Sequence, residues 1–241
     1  MSIILKSEPE IAAMRQAGRI VATVLEVLRL QVKSGMKTKE LDMIAVSEVT
    51  KLGAKPSFKG YRGYPANLCV SVNDEIVHGI PGERVLRDGD IVSIDFGAIF
   101  QGFQGDAAIT VGVGRISTEA QNLIATTESA LKAGIASARN GARLGDISAA
   151  VQLYAETRGY SLVREYTGHG IGREMHEEPQ VPNFGMPGTT LAIEPMVNIG
   201  DWRTKVGANH WTVSTSDGSL SAHFEHTIAV TDDEAEVLTA L

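Results

Sequence analysis

The feature that most constrains the fold of this chain is a helix–glycine–helix pattern that occurs twice. Ser7-Glu8-Pro9-Glu10 is a capping box, and it predicts a helix that runs to about Val32, before a glycine at position 35. A second helix is predicted over 38–52, again followed by a glycine. The same pattern predicts helices over about 117–139 and 144–158, each with a glycine behind it.

The two helix pairs align at a constant offset of 106 residues, the separation between Gly35 and Gly141. In each half the helix pair is followed by sequence of β type, and the period is too long for a solenoid. Three more positions keep this register: Glu40 with Asp146, Leu41 with Ile147, and Gly53 with Gly159. We therefore predict an α+β fold that arose by internal duplication, with halves of about 1–113 and 114–241 around one shared sheet in a single domain, residues 1–241.

Composition excludes several classes of protein. The net charge of −7 argues against nonspecific binding to nucleic acid, and the single cysteine leaves no intrachain disulfide. The N-terminal residues lack the layout of a signal peptide. The longest apolar region, from Ile11 to Leu30, is interrupted by charged residues and predicts an amphipathic helix. We therefore expect a soluble cytoplasmic protein with no membrane partner.

Two aspartates lie on a predicted β-hairpin. Residues 91–96 and 107–111 have the composition of strands and flank Gln101-Gly102, which suggests a two-residue turn. In that register residue 97 pairs with Asp106, and Asp95 pairs with residue 108. The two carboxylates then lie on one face as diagonal neighbours. Because adjacent carboxylates repel unless a cation or a proton lies between them, this arrangement favours a metal site.

Three more polar residues interrupt apolar or glycine-rich sequence in the second half. Glu194 precedes a proline, which favours an extended backbone, and Glu225 is a similar interruption in the segment from Ala222 to Ile228. His169 lies between two glycines, which permit close approach of a ligand. Each residue alone could be structural, but four buried carboxylates together favour a common function.

The number and type of these groups predict two divalent ions. Four carboxylates around one such ion would leave two negative charges uncompensated, whereas two ions neutralise them. Oxygen donors with one imidazole suit cobalt, manganese, iron or zinc, and the imidazole argues against calcium. If Asp95, Asp106, His169, Glu194 and Glu225 converge, the chain is predicted to be a hydrolase that activates water.

The other histidines fall into two groups. His78 ends a β-like run at a turn, and His176 lies in a segment that does not match a His-Glu-x-x-His zinc motif. We interpret these two as residues that handle a substrate. The remaining three, His210, His223 and His226, lie among polar or strand residues, and we interpret them as structural.

At this point the sequence resembles the methionine aminopeptidases of the bacterial type (type I). The matching stretches extend from the first helix to about residue 230, and their polar positions occur in the same order and context. They include Tyr61-Arg62-Gly63-Tyr64-Pro65, Val77-His78-Gly79-Ile80-Pro81, Gly168-His169-Gly170-Ile171-Gly172, Ile193-Glu194-Pro195-Met196 and Phe224-Glu225-His226-Thr227.

The resemblance implies a fold, an activity and residue roles. It implies the pita-bread (creatinase/aminopeptidase) fold, in which two pseudo-symmetric α+β halves surround a shared curved antiparallel sheet. It implies removal of the N-terminal methionine from nascent proteins with a small second residue, by attack of a metal-bridging hydroxide. Glu194 would carry the proton, His176 would stabilise the tetrahedral intermediate, and His78 would contact the substrate backbone. The implied metal ligands are Asp95, Asp106, His169, Glu194 and Glu225, with Asp106 and Glu225 bridging.

The resemblance also implies a pocket for the methionine side chain, formed by Tyr61, Tyr64, Cys69 and Trp211. Met175 stands where many relatives have phenylalanine, and Phe58 where some have cysteine, so the pocket differs from the usual pattern at two positions. The implied partner is the N-terminal methionine of a nascent peptide, with a transient contact to the ribosome left open. We expect a monomer.

Two alternative functions remain at this stage. A prolidase or aminopeptidase P would share the five metal ligands, although the fit of the region from Tyr61 to Pro81 favours methionine. A binding module that had lost catalysis would also share the fold. It would be expected to lose metal ligands, and this sequence keeps all five.

Overall fold

The computed structural model describes residues 3–183, 193–231 and 234–241. It confirms all four predicted helices, and their ends lie within two residues of the predicted ones. They are α1 (Glu8–Gln31), α2 (Thr38–Lys51), α3 (Thr118–Ser137) and α4 (Leu144–Glu156), with a short 3₁₀ helix at Tyr61–Gly63. None of the helices in these described ranges combines the length and apolar character needed to cross a membrane.

The duplicated positions have the same structural role in both halves. The Glu40 carboxylate accepts a hydrogen bond of 2.6 Å from the backbone N–H of Lys37 at the start of α2. Asp146 accepts a bond of 2.7 Å from the N–H of Arg143 at the start of α4. An acid three residues into a helix satisfies a backbone donor that the helix itself leaves free. The acidic pair in the 106-residue alignment therefore caps equivalent helices.

The strands described in the structure are all paired antiparallel. They form a five-stranded sheet, two three-stranded sheets and two two-stranded ladders. The strands are β1 (Lys55–Pro56), β2 (Cys69–Val72), β3 (Glu75–Val77), β4 (Ile91–Phe100), β5 (Phe103–Gly112), β6 (Ser161–Leu162), β7 (Thr167–Gly170), β8 (Glu177–Pro182), β9 (Met196–Asn198), β10 (Thr204–Val206), β11 (Val213–Thr215), β12 (Ser221–His223), β13 (Glu225–His226), β14 (Ile228–Ala229) and β15 (Glu236–Val237).

The five-stranded sheet takes strands from both halves of the chain. Strands β1, β2, β4 and β5 come from the first half, and β13 from the second half pairs with β5. The predicted hairpin is confirmed, since β4 and β5 pair without interruption from Ile91 opposite Gly112 to Phe100 opposite Phe103. The largest sheet is therefore the shared element that joins the halves.

Each helix pair covers its own apolar core. Residues of α1 and α2, such as Leu28 and Leu41, pack with Val70 and Ile94 of the large sheet. Residues of α3 and α4 pack with β9 and β12 in a second core. Close approach is built in where α1 crosses β5, because a Cβ at Gly105 would lie 2.8 Å from the backbone nitrogen of Gly18. Asp95 and Asp106 of the large sheet belong to neither apolar core, and they form part of the site described below.

Candidate metal centre

A row of side chains crosses four strands of the large sheet. Cys69 of β2 lies opposite Asp95 of β4, Asp95 lies opposite Ala108 of β5, and Ala108 lies opposite Glu225 of β13. Asp106 is two residues before Ala108 and therefore shares its face. Gly97 is the residue opposite Asp106, as the predicted register requires. The sheet thus brings three carboxylates from both halves onto one surface.

His169 and Glu194 complete this group from outside the large sheet. His169 lies on β7, and Glu194 follows Ile193, which forms an isolated bridge with His226 of β13. His169 Nε2 lies 3.7 Å from Glu194 Oε1. Ligand atoms of Asp106, His169 and Glu225 all lie within 4.8 Å of one another. The structure therefore brings together all five residues that the sequence singled out.

The His169 ring is oriented by its own strand. Its Nδ1 is 2.9 Å from the carbonyl oxygen of Gly170, and a carbonyl can only accept, so Nδ1 carries the hydrogen. Nε2 is then left with a lone pair, directed to the side where Glu194 lies. Burial lowers the pKa of His169, which keeps the imidazole neutral. A neutral imidazole held in this tautomer is the form that ligates metals.

The four carboxyl groups strongly disfavour their own ionisation. Burial raises the pKa of Asp95 to about 7. Burial, and then the charge of Asp95, raises the pKa of both Asp106 and Glu194 well above the ordinary range. Burial and the charge of Asp106 do the same for Glu225. A cluster of this kind is stable in its ionised form only when cations compensate it.

Unsatisfied oxygens support the interpretation of this cluster as a metal centre. Asp95 Oδ1 and Asp106 Oδ1 are buried, and neither has a hydrogen-bond partner in the described parts of the chain. Buried carboxylate oxygens without partners are costly, and coordination of a metal satisfies them. Oxygen donors with one neutral imidazole fit the divalent ions expected from the sequence.

His176 and His78 lie beside this centre without belonging to it. The His176 ring lies 4.0 Å from the His169 ring, and its Nδ1 is 2.9 Å from the Tyr61 hydroxyl. His78 makes an edge contact with the Trp211 ring at 6.4 Å and has a positive φ of 59°. A positive φ is uncommon for residues other than glycine and occurs often at functional sites. Both histidines face the same cleft as the metal centre.

An apolar pocket borders the metal centre. Tyr64, Cys69, Phe58 and Met175 pack together there, with Trp211 at the edge. Tyr64 and Trp211 meet edge-on at 5.1 Å, and the Tyr64 hydroxyl donates to the carbonyl of Gly79 at 3.0 Å. All eleven residues predicted for the site line this one cleft, whose volume is about 410 Å³. Phe58 and Met175, the two departures from the family pattern, also line it.

The segment that carries Met175 and His176 is held on two sides. On one side Gln104 of β5 donates its backbone N–H to the carbonyl of Gly172 at 2.8 Å. On the other side Lys6, from the segment before α1, forms a partly buried ion pair with Glu177. A Cβ at Gly172 would collide with both partners of this ion pair. The N-terminal segment therefore contributes to the shape of the cleft, which the sequence analysis did not predict.

Sequence reasoning also missed two neighbours of the predicted residues. His223, interpreted as structural, lies buried with its Nε2 3.7 Å from Glu194 Oε2. Tyr166 lines the cleft and makes an edge contact with His78 at 5.9 Å. The signal available for His223 was its position two residues before Glu225 on the same face of an extended segment.

Comparisons with known proteins agree with this geometry. The model of metallopeptidase family M24 matches residues 12–232. The methionine aminopeptidase of Clostridium perfringens is 52% identical to this chain over 247 residues, which cover 99% of each protein. A crystal structure of methionine aminopeptidase from Thermotoga maritima superposes with a TM-score of 0.97 at 44% identity, and each chain is fully covered.

A more distant neighbour shares the fold alone. Prolidase from Pyrococcus furiosus superposes with a TM-score of 0.80 at 19% identity, covering 99% of this chain and 66% of that one. The architecture common to these proteins is the pita-bread fold, with helix pairs outside and antiparallel strands inside. The matched family model, the full-length relatives and the convergence of five ligand-type residues lead to one conclusion: this chain belongs to metallopeptidase family M24.

Proposed function

We propose that this chain is a methionine aminopeptidase that removes the N-terminal methionine from nascent proteins whose second residue is small. The observation that carries the proposal is the single cleft in which a carboxylate–histidine centre adjoins an apolar pocket. The names of its full-length relatives support the same activity. A pocket lined by aromatic side chains and the thioether of Met175 suits an unbranched, polarisable side chain such as methionine.

The proposed ligands of two divalent ions are the four carboxylates and the imidazole of the metal centre. When bound, two such ions lower the pKa of a water molecule and polarise the carbonyl that the water attacks. Glu225 lies opposite Ala108, two residues from Asp106 along β5, and ligand atoms of the two acids lie within 4.8 Å of each other, so both would serve the same centre. The assigned ligands are Asp95, Asp106, His169, Glu194 and Glu225.

The proton released by the attacking water passes to Glu194 in this mechanism. The Glu194 carboxylate lies within the metal centre, 3.7 Å from His169 Nε2, and is placed to accept that proton. Glu194 later delivers the proton to the leaving amine. Its place at the edge of the cleft, with about 13% of the side chain exposed, allows both transfers.

His176 is assigned to the oxygen of the scissile carbonyl. Partial burial, and then the nearby His169, lowers the pKa of His176 to about 3, so the imidazole is neutral at physiological pH. When the Tyr61 hydroxyl donates to Nδ1, the ring hydrogen lies on Nε2 and is available to the substrate. A fixed neutral donor stabilises charge that develops on the carbonyl oxygen. His78, beside Trp211, is assigned to the substrate backbone.

Parallel hydrolysis assays test the function. The metal-depleted protein is reconstituted with Co²⁺, Mn²⁺, Fe²⁺ or Zn²⁺ and given Met-Ala-Ser, Met-Leu-Ser and an X-Pro peptide, with a chelated control. We expect metal-dependent release of methionine from Met-Ala-Ser alone. Preference for the X-Pro peptide would assign the chain to the prolidase type. Cleavage of none of these peptides with any of the metals would contradict enzymatic activity.

A further inference from the structure

His223 is a buried titratable residue that the proposed mechanism does not use. Only 1% of it is exposed, and its Nε2 has no hydrogen-bond partner among the residues that the structure describes. A buried polar atom without a partner costs free energy, so in a native protein it requires a physical explanation. The surroundings of this nitrogen therefore indicate what His223 does.

The backbone of His223 is fixed to the strand that carries Asp106. The N–H of His223 donates to Thr110 Oγ1 at 2.9 Å, and the Thr110 hydroxyl lies 2.7 Å from the carbonyl oxygen of His223. Thr110 Oγ1 is also 2.8 Å from Ser93 Oγ on β4. These contacts attach the end of β12 to both strands of the ligand-bearing hairpin. These bonds therefore fix the position of the His223 backbone, from which the imidazole extends, relative to the metal centre.

The ring nitrogen points at two of the proposed ligands. His223 Nε2 lies 3.7 Å from Glu194 Oε2 and 3.9 Å from Glu225 Oε2. The other oxygen of Glu194, Oε1, lies 3.7 Å from His169 Nε2. Each oxygen of the Glu194 carboxylate therefore faces a different imidazole: Oε1 faces His169, and Oε2 faces His223.

We propose that His223 is a positioning residue for Glu194. Its Nε2–H donates to Glu194 Oε2 and keeps Oε1 turned toward His169 and the metal position. This inference rests on the proposed function, because it gives Glu194 the roles of ligand and proton carrier. The separation of 3.7 Å is longer than a hydrogen bond, and such contacts commonly shorten when a catalytic site is assembled. Donors behind metal ligands are known to fix ligand orientation and basicity.

The two carboxylate oxygens that face the His223 ring decide whether its Nε2 carries a hydrogen or a lone pair. Two carboxylate oxygens face Nε2 at similar distances, so a lone pair on that nitrogen would be repelled and a hydrogen attracted. A donor at Nε2 excludes direct coordination of an ion by that atom. The same geometry would allow an ion between His223, Glu194 and Glu225 only if Nε2 lost its hydrogen. We therefore assign His223 as a donor rather than as a sixth ligand.

The experiment compares His223→Leu, which removes the donor, with His223→Gln, which keeps an amide donor. Metal-depleted protein is titrated with Co²⁺, and affinity, stoichiometry and the visible absorption spectrum are recorded before any substrate is added. The kcat and KM for Met-Ala-Ser are then measured separately. We expect His223→Leu to lose about 10- to 100-fold in Co²⁺ affinity and in kcat, with an altered spectrum and little change in KM. His223→Gln should recover most of this loss.

His226→Leu is the matched control. His226 is also a histidine in the 221–229 region, but its Nδ1 bonds Thr239 Oγ1 at 2.9 Å, and among the described residues it belongs to neither candidate ligand cluster. Its replacement should lower thermal stability without changing the Co²⁺ spectrum. Three results would overturn the proposal: an unchanged spectrum and kcat in His223→Leu, equal loss in the Gln and Leu variants, or loss of one whole equivalent of Co²⁺ in both.

The design separates this proposal from the proposed function. Co²⁺ binding and its spectrum require no peptide, so they assess His223 even if the unmodified protein cleaves none of the peptides. In that case the function is wrong, and the spectra of the His223 variants still support or overturn the positioning role.

Discussion

At the scale of single residues, the site consists of ionisable side chains whose charge states depend on one another. Four carboxyl groups with raised pKa values share a small volume with a neutral histidine. Each acid makes its neighbours harder to ionise, and a bound cation reverses that relation. Metal binding and function should therefore be lost together when one acid is removed, whereas residues beside the cluster should affect turnover alone.

Replacement of Asp106 by alanine tests the first expectation. Asp106 is 5% exposed and lies in the group with His169 and Glu225, so its loss removes one of the proposed ligands from the middle of the centre. We expect Asp106→Ala to lose bound metal and to reduce hydrolysis of Met-Ala-Ser to the level of the chelated control. Metal content by elemental analysis and methionine release check this. The control is Asp88→Ala, because Asp88 lies outside the cleft. Normal metal content with full activity in Asp106→Ala would refute the ligand assignment.

Replacement of His176 by alanine tests the expectation that residues beside the cluster affect turnover alone. His176 contacts Tyr61 and the His169 ring but offers no atom to the candidate ligand clusters. We expect His176→Ala to keep its metal and to lose about 100- to 1000-fold in kcat, the usual effect of removing one donor to a developing oxyanion. Steady-state kinetics and metal analysis on the same sample distinguish the two effects. Unchanged turnover would remove His176 from the mechanism.

At the scale of secondary-structure elements, local pairing was predictable and distant pairing was not. The register of β4 and β5 followed from the Gln101-Gly102 turn and from strand alternation, and it is confirmed residue by residue. The pairing of β13 with β5, and the bridge from Ile193 to His226, join residues more than 30 positions apart. Nothing in local propensity specifies such contacts, because tertiary packing determines them. The resemblance to a known family implied a shared sheet and a common ligand set, but not the strand pairings that bring these residues together.

The contribution of the N-terminal segment belongs to the same scale. Lys6 and Glu177, which form an ion pair, are 171 positions apart in the sequence, and no local sequence pattern predicts such a contact. The ion pair lies so close to Gly172 that an added Cβ there would be 2.3 Å from Lys6 Cε, and it therefore packs beside the segment that carries Met175 and His176. An element far from the chemistry in sequence therefore sets the position of residues that contact the substrate in the proposed mechanism.

Replacement of Lys6 by methionine tests that contact. The change removes the charge, keeps most of the length, and leaves the Glu177 carboxylate partly buried without its cation. We expect kcat to fall about tenfold or more with metal content unchanged, since a displacement of 1 Å can cost about a hundredfold. Arg15→Met is the control, because it breaks another ion pair of the N-terminal region, with Glu236, away from the cleft. Equal kinetics in both variants would show that the Lys6 contact is purely structural.

At the scale of the whole molecule, the acid cluster links folding stability to pH and to metal. A carboxyl group whose pKa is raised in the folded state stabilises the fold at low pH, and that contribution is lost as the pH rises through the folded value. For Asp95 the ordinary value is 3.8 and the folded value is about 7. The relevant interval therefore runs from about pH 4 to pH 7, and the other three acids extend it upward.

Thermal unfolding of the chelated protein checks this linkage. We expect its Tm to fall as the pH rises from 5 to 8, because each shifted carboxyl group costs about 1.4 kcal/mol per pH unit in this interval. Added Co²⁺ or Mn²⁺ should raise Tm most at the upper end, where the ligands are ionised. Asp106→Ala should show a weaker pH dependence and a smaller response to metal. A Tm that rose with pH in the chelated protein would contradict the assignment of raised pKa values.

The shared sheet also has a consequence for how the protein is made. Two of the proposed ligands belong to the first half and three to the second, and Glu225 reaches the others only when β13 joins β5. A chain still emerging from the ribosome cannot assemble the centre until almost its last strand has been synthesised. The proposed metal site is therefore complete only after both halves of the chain have been synthesised and β13 has paired with β5.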